Sequence, residues 1–256
     1  MRYGVRRMRA DDRLVDPFEA DVAANEGYVY STNARLSSVF SNRRMTDAVL
    51  AAVELRDKRV VDIGCGDGTY TVELAELGGA ASVVGVDPAA GAIDVAKRRG
   101  APAHVSFETG SAYALRFEPD SFDIAHLRGV LHHMDDPIAA LREALRIAAT
   151  IVVVEPNGYN LGLKLIERIS TYHREHHEKS YAPRTLDRWV RALGGEIVSR
   201  QWIGLVPMFS PDPLAKTLKL LERPLEHLPL LRAAGCAQYV FTAVRTGPSV
   251  LWLDPS

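Results

Sequence analysis

Short apolar runs alternate with amphipathic stretches along the chain from residue 59 onward. The runs are rich in Val and Ile and predict strands, whereas "TYTVELAEL" and "DPIAALREALRIA" repeat apolar residues at helical spacing. Strand and helix patterns in this alternation predict a doubly wound, mostly parallel α/β sheet. The first predicted strands are Arg59 to Ile63, Ser82 to Val86, His104 to Glu108, Phe122 to Leu127 and Thr150 to Glu155.

Two more strands are predicted after a further helical stretch, at Glu196 to Leu205 and Ala237 to Arg245. The last strand is expected to pair antiparallel beside its neighbour, which gives a Rossmann-like sheet of seven strands. Residues 1–45 are expected to form a helical arm or lid, and residues 46–256 one α/β domain. Within that domain, the proline-rich residues 206–236 are compatible with a substrate-side cap, a dimer interface or contact with a membrane-borne substrate.

The composition is that of an ordinary globular protein: 256 residues, 47% hydrophobic and 25% charged, with a formal net charge of −1. A nearly neutral chain without a basic block argues against nucleic acid as a partner. No apolar run reaches about 18 residues, so no membrane span is expected, and a cytoplasmic location is the simplest interpretation. Cys65 and Cys236 lack the spacing of a disulfide or zinc framework.

The stretch "VVDIGCGDGTYT", residues 60–71, joins the first strand to its helix and places glycines at GxGxG spacing. Glycines at this point of a doubly wound sheet let the backbone approach a nucleotide-containing ligand. The spacing departs from the GxGxxG of dinucleotide sites, and the Asp67 carboxylate falls where a diphosphate would lie. Repulsion between like charges therefore favours a cationic ligand. S-adenosylmethionine carries a sulfonium and an ammonium group.

The second strand ends in "VVGVDPA", where Asp87 is placed to accept hydrogen bonds from both ribose hydroxyls of a nucleoside. An NAD-dependent oxidoreductase would use the same acid, so Asp87 predicts nucleoside binding without choosing the cofactor. The structural alternative is a cap for the following helix, with Pro88 at the first helical position.

The stretch "FETGSAYALRFEPDSFDIAHLRGVLHHMDDP", Phe107 to Pro137, together with the glycine turn and Asp87, resembles class I S-adenosylmethionine-dependent methyltransferases. The branch around the ubiquinone and menaquinone biosynthesis methyltransferases matches best. The resemblance implies an enzyme that methylates a small-molecule or lipid-like acceptor, with residues 46–256 as its methyltransferase domain. An NAD-dependent oxidoreductase and a non-catalytic cofactor-binding scaffold are the alternatives. Peripheral membrane contact and a homodimer are both compatible with the sequence.

The resemblance also implies the cofactor contacts. The glycine turn and its first acid hold the methionine end of the cofactor, and Asp87 holds the ribose. The segment after the third strand contacts the adenine, and the backbone carbonyl of Arg128 contacts the ammonium group. Ser111 departs from the family's aspartate, which leaves the amide of Ala112 to meet the adenine amine. Apart from the resemblance, Tyr28 and Tyr30 of the arm are candidates for a lid over the cofactor, because aromatic rings attract a sulfonium cation. The predicted cofactor set is Asp62, Gly64, Cys65, Gly66, Asp87, Pro88, Ser111, Ala112, Arg128 and Tyr30.

Methyl transfer to a hydroxyl benefits from a base near the acceptor. Plant-type O-methyltransferases of the same fold use a histidine just after the fourth strand, and "RGVLHHMDD" places His132 there. Imidazole titrates near neutrality, as a base should. His132 is therefore the candidate base, with His133 as its alternative, and Glu155 is a candidate for orienting the substrate. Oxygen is the favoured acceptor atom, while nitrogen and carbon stay open.

A second histidine group, in "TYHREHHEKSY", places His173 and His177 at the i, i+4 spacing of metal ligands, with His176 between them. The surrounding charged residues indicate a solvated helix face, so no metal site is predicted.

Overall fold

A seven-stranded sheet of order β3-β2-β1-β4-β5-β7-β6 forms the centre of the chain. The structure is a computed structural model that describes residue 19 and residues 22–25, 27–169, 179–208 and 210–247. β7 runs antiparallel between β5 and β6, and the other pairs are parallel. The predicted fold class is confirmed. The strands are β1 (Arg59–Ile63), β2 (Ser82–Asp87), β3 (Val105–Thr109), β4 (Phe122–Arg128), β5 (Ala148–Pro156), β6 (Gly195–Ile203) and β7 (Gln238–Arg245).

Helices cover both faces of this sheet. They are α1 (Val29–Thr32), α2 (Leu36–Ala52), α3 (Thr69–Gly78), α4 (Ala90–Arg99), α5 (Pro137–Ile147), α6 (Leu161–Ile169), α7 (Pro183–Ala192), α8 (Asp212–Glu226) and α9 (Pro229–Gly235), and a 3-10 turn spans Leu131–His133. α2 and α3 bury Val49 and Leu74 against one face, and α5 and α7 bury Leu141 and Leu186 against the other. Because β5 lies between two helical layers, its sequence is an almost uninterrupted apolar run.

The division predicted at residue 45 falls inside α2, which runs from Leu36 to Ala52. Met45, Ala48 and Val49 of this helix are buried in the core cluster on one face of the sheet. The second half of α2 therefore belongs to the layer that covers the strands.

β6 ends at Ile203, before the predicted end at Leu205. Gly204 has a left-handed φ of 81°, which turns the chain out of the strand. The amides of Gly204 and Leu205 then donate to two glutamates of α8, at 3.0 and 3.1 Å. The strand stops because side chains of α8 take the place of a strand partner.

Those glutamates fix α8 to the body of the protein. Glu226 accepts both the Gly204 amide and a bidentate pair from Arg44 of α2, with N–O distances of 3.0 and 2.6 Å. The side chains of Arg44 and Glu226 are 9% and 7% exposed. Glu222 accepts from Leu205 and from Lys219. α8 is thus held by polar contacts made on its buried face.

We expect Glu226→Gln to lower the free energy of unfolding by about 3 kcal/mol, because it leaves the Arg44 cation buried without its partner. Asp47→Asn is the matched control, since it removes the exposed Arg43–Asp47 pair at 2.9 Å and should cost less than about 1 kcal/mol. Urea denaturation of the two variants and the wild type measures the difference. Equal losses in both variants would show that the Arg44–Glu226 pair does not anchor α8.

Candidate active site

The glycine turn after β1 is too tight for other residues. Gly64 and Gly66 have φ of 76° and 56°, and a Cβ on them would lie 2.5 Å from a Val130 methyl and 2.6 Å from the Tyr28 ring. The Gly64 amide donates to the carbonyl of Val86 at 2.7 Å, which ties the turn to β2. The turn therefore presents bare backbone at the carboxyl ends of the central strands, where ligands bind in this fold.

Cys65, within the turn, offers its backbone and not its thiol. Its Sγ lies against Gly85 of β2, where an added Cβ would be 2.9 Å away. Burial raises the pKa of the Cys65 thiol well above its ordinary value. The side chain is an inert, buried filler.

Asp87 is buried at the end of β2, with both carboxylate oxygens in use. They accept from the amides of Gly66 and Ala89, each at 2.9 Å. Burial raises the pKa of Asp87 to about 6, which the two amides oppose and the nearby acids reinforce. α4 begins at Ala90 with Ala89 as its N-cap, so the alternative with Pro88 as first helical residue is wrong. Instead Asp87 ties the glycine turn to the start of α4.

The segment after β3 lies beside Asp87. The Gly110 amide donates to the carbonyl of Asp87 at 3.0 Å. Ser111 uses its hydroxyl to accept from the amide of Tyr113 at 3.3 Å, and Ala112 is buried in the core. Pro88, which follows Asp87 in the chain, is exposed. The segment after β3 is thus joined to the end of β2 by the Gly110 amide, and the nucleoside contacts of these residues stay a prediction.

Asp62 is buried beneath the turn, paired with a histidine that the sequence analysis missed. Its Oδ1 lies 2.7 Å from Nδ1 of His126, and its Oδ2 accepts from the Thr71 hydroxyl at 2.5 Å. The parallel register of β1 and β4 places Asp62 directly beside His126. A polar residue on an otherwise apolar central strand was the signal for this pair.

Asp67 ties the N-terminal arm to the turn. It accepts from the Thr69 hydroxyl at 2.7 Å, from the Ser31 hydroxyl at 2.5 Å and from the Tyr28 amide at 3.2 Å, and it pairs with Arg99 at 3.0 Å. Burial opposes ionisation, but these hydrogen bonds and Arg99 hold the pKa of Asp67 below its ordinary value. Its charge is therefore balanced by Arg99, and the argument that Asp67 leaves a negative charge for the ligand is wrong.

The aromatic residue on the turn is Tyr28. Its ring contacts Gly66, and burial together with the charge of Asp87 raises the pKa of its phenol well above the ordinary value. The side chain of Tyr30 lies outside the described residues, as do His173, His176 and His177.

Arg128, at the end of β4, directs its side chain toward α2. Its guanidinium donates to the Thr46 hydroxyl at 3.0 Å and to Asn42, and it lies 3.7 Å from the centre of the Tyr70 ring. Burial lowers the pKa of Arg128. The side chain is thus engaged in packing, and the backbone carbonyl is the part implied in ligand binding.

Glu155 and His132 form a buried carboxylate–imidazole pair. Oε2 of Glu155, at the tip of β5, lies 2.9 Å from His132 Nδ1 and accepts from the His132 amide at 3.2 Å. Oε1 of the same carboxylate accepts from the amides of Val130 and Leu131, both at 2.8 Å. Glu155 is fully buried, whereas the His132 side chain is 10% exposed. Of the two side chains, only that of His132 therefore reaches the protein surface.

Comparison with known proteins identifies the family. A family model described as a methyltransferase domain matches residues 60–150. A ubiquinone biosynthesis O-methyltransferase of Burkholderia pseudomallei is 30% identical over 177 residues, which are 62% of this chain and 73% of that protein. An uncharacterized methyltransferase of Schizosaccharomyces pombe is 36% identical over 110 residues, 40% of this chain. The chain spans 37%, 24% and 45% of three of the curated relatives that it matches.

A solved structure shares the fold. Magnesium protoporphyrin IX methyltransferase from Synechocystis, with bound SAH, superimposes with a TM-score of 0.62 over 92% of this chain and 97% of that one, at 16% identity. The chain belongs to the class I S-adenosylmethionine-dependent methyltransferases. The cofactor of this class is S-adenosylmethionine, so the oxidoreductase alternative is set aside. The bare turn and the buried acid at the end of β2 fit an adenosyl group.

We expect cofactor binding to release protons near pH 6. Ribose hydroxyls that donate to Asp87 would favour its ionised form and so lower its pKa from about 6. As pH falls below 6, protonated Asp87 must lose its proton before binding, so affinity should drop by up to about tenfold per pH unit.

Calorimetry with S-adenosylhomocysteine in buffers of different ionisation enthalpy measures the release, which should be about half a proton at pH 6. Asp94→Asn, on the exposed face of α4, is the matched control and should keep the release. Asp87→Asn should abolish it. An affinity independent of pH through this range would mean that Asp87 does not bind the ribose.

Proposed function

We propose that the enzyme transfers the methyl group to a hydroxyl of a small, partly apolar or lipid-like molecule. The observation that carries the proposal is the His132–Glu155 pair, in which Nδ1 lies 2.9 Å from a carboxylate oxygen. A hydroxyl must lose its proton as the methyl group arrives, and a positioned base assists that loss. A neutral amine attacks with its lone pair and does not need this base before transfer.

The pair has the arrangement of a general base with its orienting group. Glu155 would accept a hydrogen bond from the protonated Nδ1, which fixes the tautomer with the lone pair on Nε2 and stabilises the imidazolium that forms. S-adenosylmethionine supplies a methyl group bonded to a sulfonium. His132 would take up the hydroxyl proton at Nε2 as the acceptor oxygen is methylated, and S-adenosylhomocysteine would leave with the electrons of the broken carbon–sulfur bond. His132 is the catalytic residue, and Glu155 is a positioning residue.

The cofactor contacts are proposed on the same geometry. The backbone of Gly64, Cys65 and Gly66 meets the methionine end, with Asp62 supporting the turn from below. Asp87 meets the ribose, because it lies at the end of β2 beside the turn. The adenine lies between Pro88 and the Ser111–Ala112 segment, and the carbonyl of Arg128 meets the ammonium.

The arm closes over this site. Tyr28 takes the place of a lid aromatic because its ring contacts Gly66, and Asp67 holds the arm in that position. Tyr30 is kept as a second aromatic of the same arm. Residues 206–236, which contain α8 and α9, leave the sheet at the same edge and provide a cap for an apolar acceptor.

The comparisons support a hydroxyl acceptor. Ubiquinone biosynthesis O-methyltransferases are among the relatives, at 30% to 34% identity. A phenolic or enolic hydroxyl on an apolar skeleton is the acceptor class that agrees with both these relatives and the buried base.

We expect His132→Ala to lower turnover of a phenolic acceptor by about 10² to 10⁴, which is the usual contribution of general-base catalysis. Affinity for S-adenosylhomocysteine should stay unchanged, because the imidazole faces the acceptor. Glu155→Gln should lower turnover less and shift the acidic limb of the pH–rate profile. Formation of S-adenosylhomocysteine with a panel of apolar phenols and matched anilines measures both effects.

His104→Ala is the matched control, because His104 is an exposed histidine on the opposite edge of the sheet. It should leave turnover and the pH profile as in the wild type. Equal activity of His132→Ala and wild type on every phenol, or methylation of the anilines alone, would overturn the proposal of O-methylation by His132.

A further inference from the structure

α8 turns two glutamates inward and three of its leucines outward. Glu222 and Glu226 lie on its buried face, whereas Leu220 is 80% exposed, and Leu214 and Leu221 are also exposed. At 100° per residue, the three leucines fall within one side of the helix, opposite the glutamates. An exposed helix normally turns its apolar residues inward and its charged residues outward. The three leucines of α8 are instead uncovered by any described part of the chain.

The helices that neighbour α8 also expose leucines. Leu230 of α9 is 86% exposed, and Leu161 at the start of α6 is 74% exposed. α9 packs on both α6 and α8, and Asn160 joins α6 to α9 by donating to the carbonyls of Gly235 and Cys236. We call the exposed leucines of α6, α8 and α9 the leucine surface. A surface of this kind marks contact with another apolar phase or molecule.

Cations flank the leucine surface. Lys216 and Arg223 are exposed along one flank of the outward face of α8. The acids that would balance them, Glu222 and Glu226, are buried against the protein, which leaves Asp212 at the helix start as the exposed acid of α8. The solvent side of α8 is therefore both apolar and positively charged.

We infer that the leucine surface docks on the headgroup region of an anionic lipid bilayer. Leucines beside Lys and Arg are the composition of an interfacial helix, in which apolar side chains enter the bilayer and cations meet lipid phosphates. A second copy of the chain fits less well, since a symmetric contact through α8 would bring Lys216 and Arg223 near their own counterparts.

The leucine surface lies on the same side of the protein as the candidate active site. α8 and α9 connect β6 to β7 at the carboxyl edge of the sheet, the same edge that carries the glycine turn and His132. A bilayer bound there would present lipid-borne molecules to the active-site side. Docking itself does not rest on the proposed O-methylation, because it needs neither cofactor nor acceptor.

Cosedimentation of the full-length chain with vesicles tests the inference. We expect binding to vesicles of phosphatidylcholine mixed with phosphatidylglycerol, and at least about tenfold weaker binding to phosphatidylcholine alone. The double variant Leu220→Glu, Leu230→Glu should weaken vesicle binding by about tenfold or more, because it replaces two apolar contacts with charges. Both side chains are exposed, so the substitutions should leave the fold intact. Lys216→Gln with Arg223→Gln should remove the preference for the anionic lipid.

Leu77→Glu is the matched control, because Leu77 is a half-exposed leucine of α3, outside the leucine surface, and its variant should bind vesicles like the wild type. Sedimentation velocity without lipid measures self-association in parallel. Absence of vesicle binding, equal binding to both lipid mixtures, or a dimer that only the Leu220→Glu, Leu230→Glu variant disrupts would each overturn the inference.

Discussion

The carboxylate of Glu155 organises the loop that follows β4. It is fully buried at the tip of β5 and accepts three successive backbone amides and the imidazole of His132. A buried carboxylate without such donors would be costly, so the loop after β4 is stable only where it supplies them. The same contacts that satisfy Glu155 therefore fix the position of His132. Stability and the proposed catalytic geometry come from one set of hydrogen bonds.

Buried acids that accept backbone amides recur along the carboxyl edge of the sheet. Asp87 joins the glycine turn to α4, Asp67 joins the turn to the N-terminal arm, and Glu226 joins the end of β6 to α2. Each acid takes backbone amides from a loop that the sheet itself leaves without strand partners. In α8, the two glutamates take up the buried face, and three leucines lie on the exposed face.

The sequence predicted the sheet and the glycine turn well, since both depend on local patterns of apolar residues and glycines. It placed Asp87 and the Ser111–Ala112 segment together, because parallel strands bring their ends to one edge. It did not predict the Glu155–His132 contact, which joins the tip of β5 to the 3-10 turn after β4 and depends on the register of the two strands. Nor did it foresee that Arg99, from α4, neutralises Asp67. Such tertiary contacts leave no periodic signal in the chain.

The central claim is that Glu155 holds His132 with its Nδ1 protonated and its Nε2 ready to accept a proton. Nitrogen-15 NMR of the histidine side chains, recorded on the enzyme with S-adenosylhomocysteine, measures this directly and requires no knowledge of the acceptor. Assignment by His132→Ala identifies the resonances. At a pH where the ring is neutral, the account predicts a protonated Nδ1 and an unprotonated Nε2, with the tautomer ratio altered in Glu155→Gln. A neutral His132 with its proton on Nε2 would contradict the account.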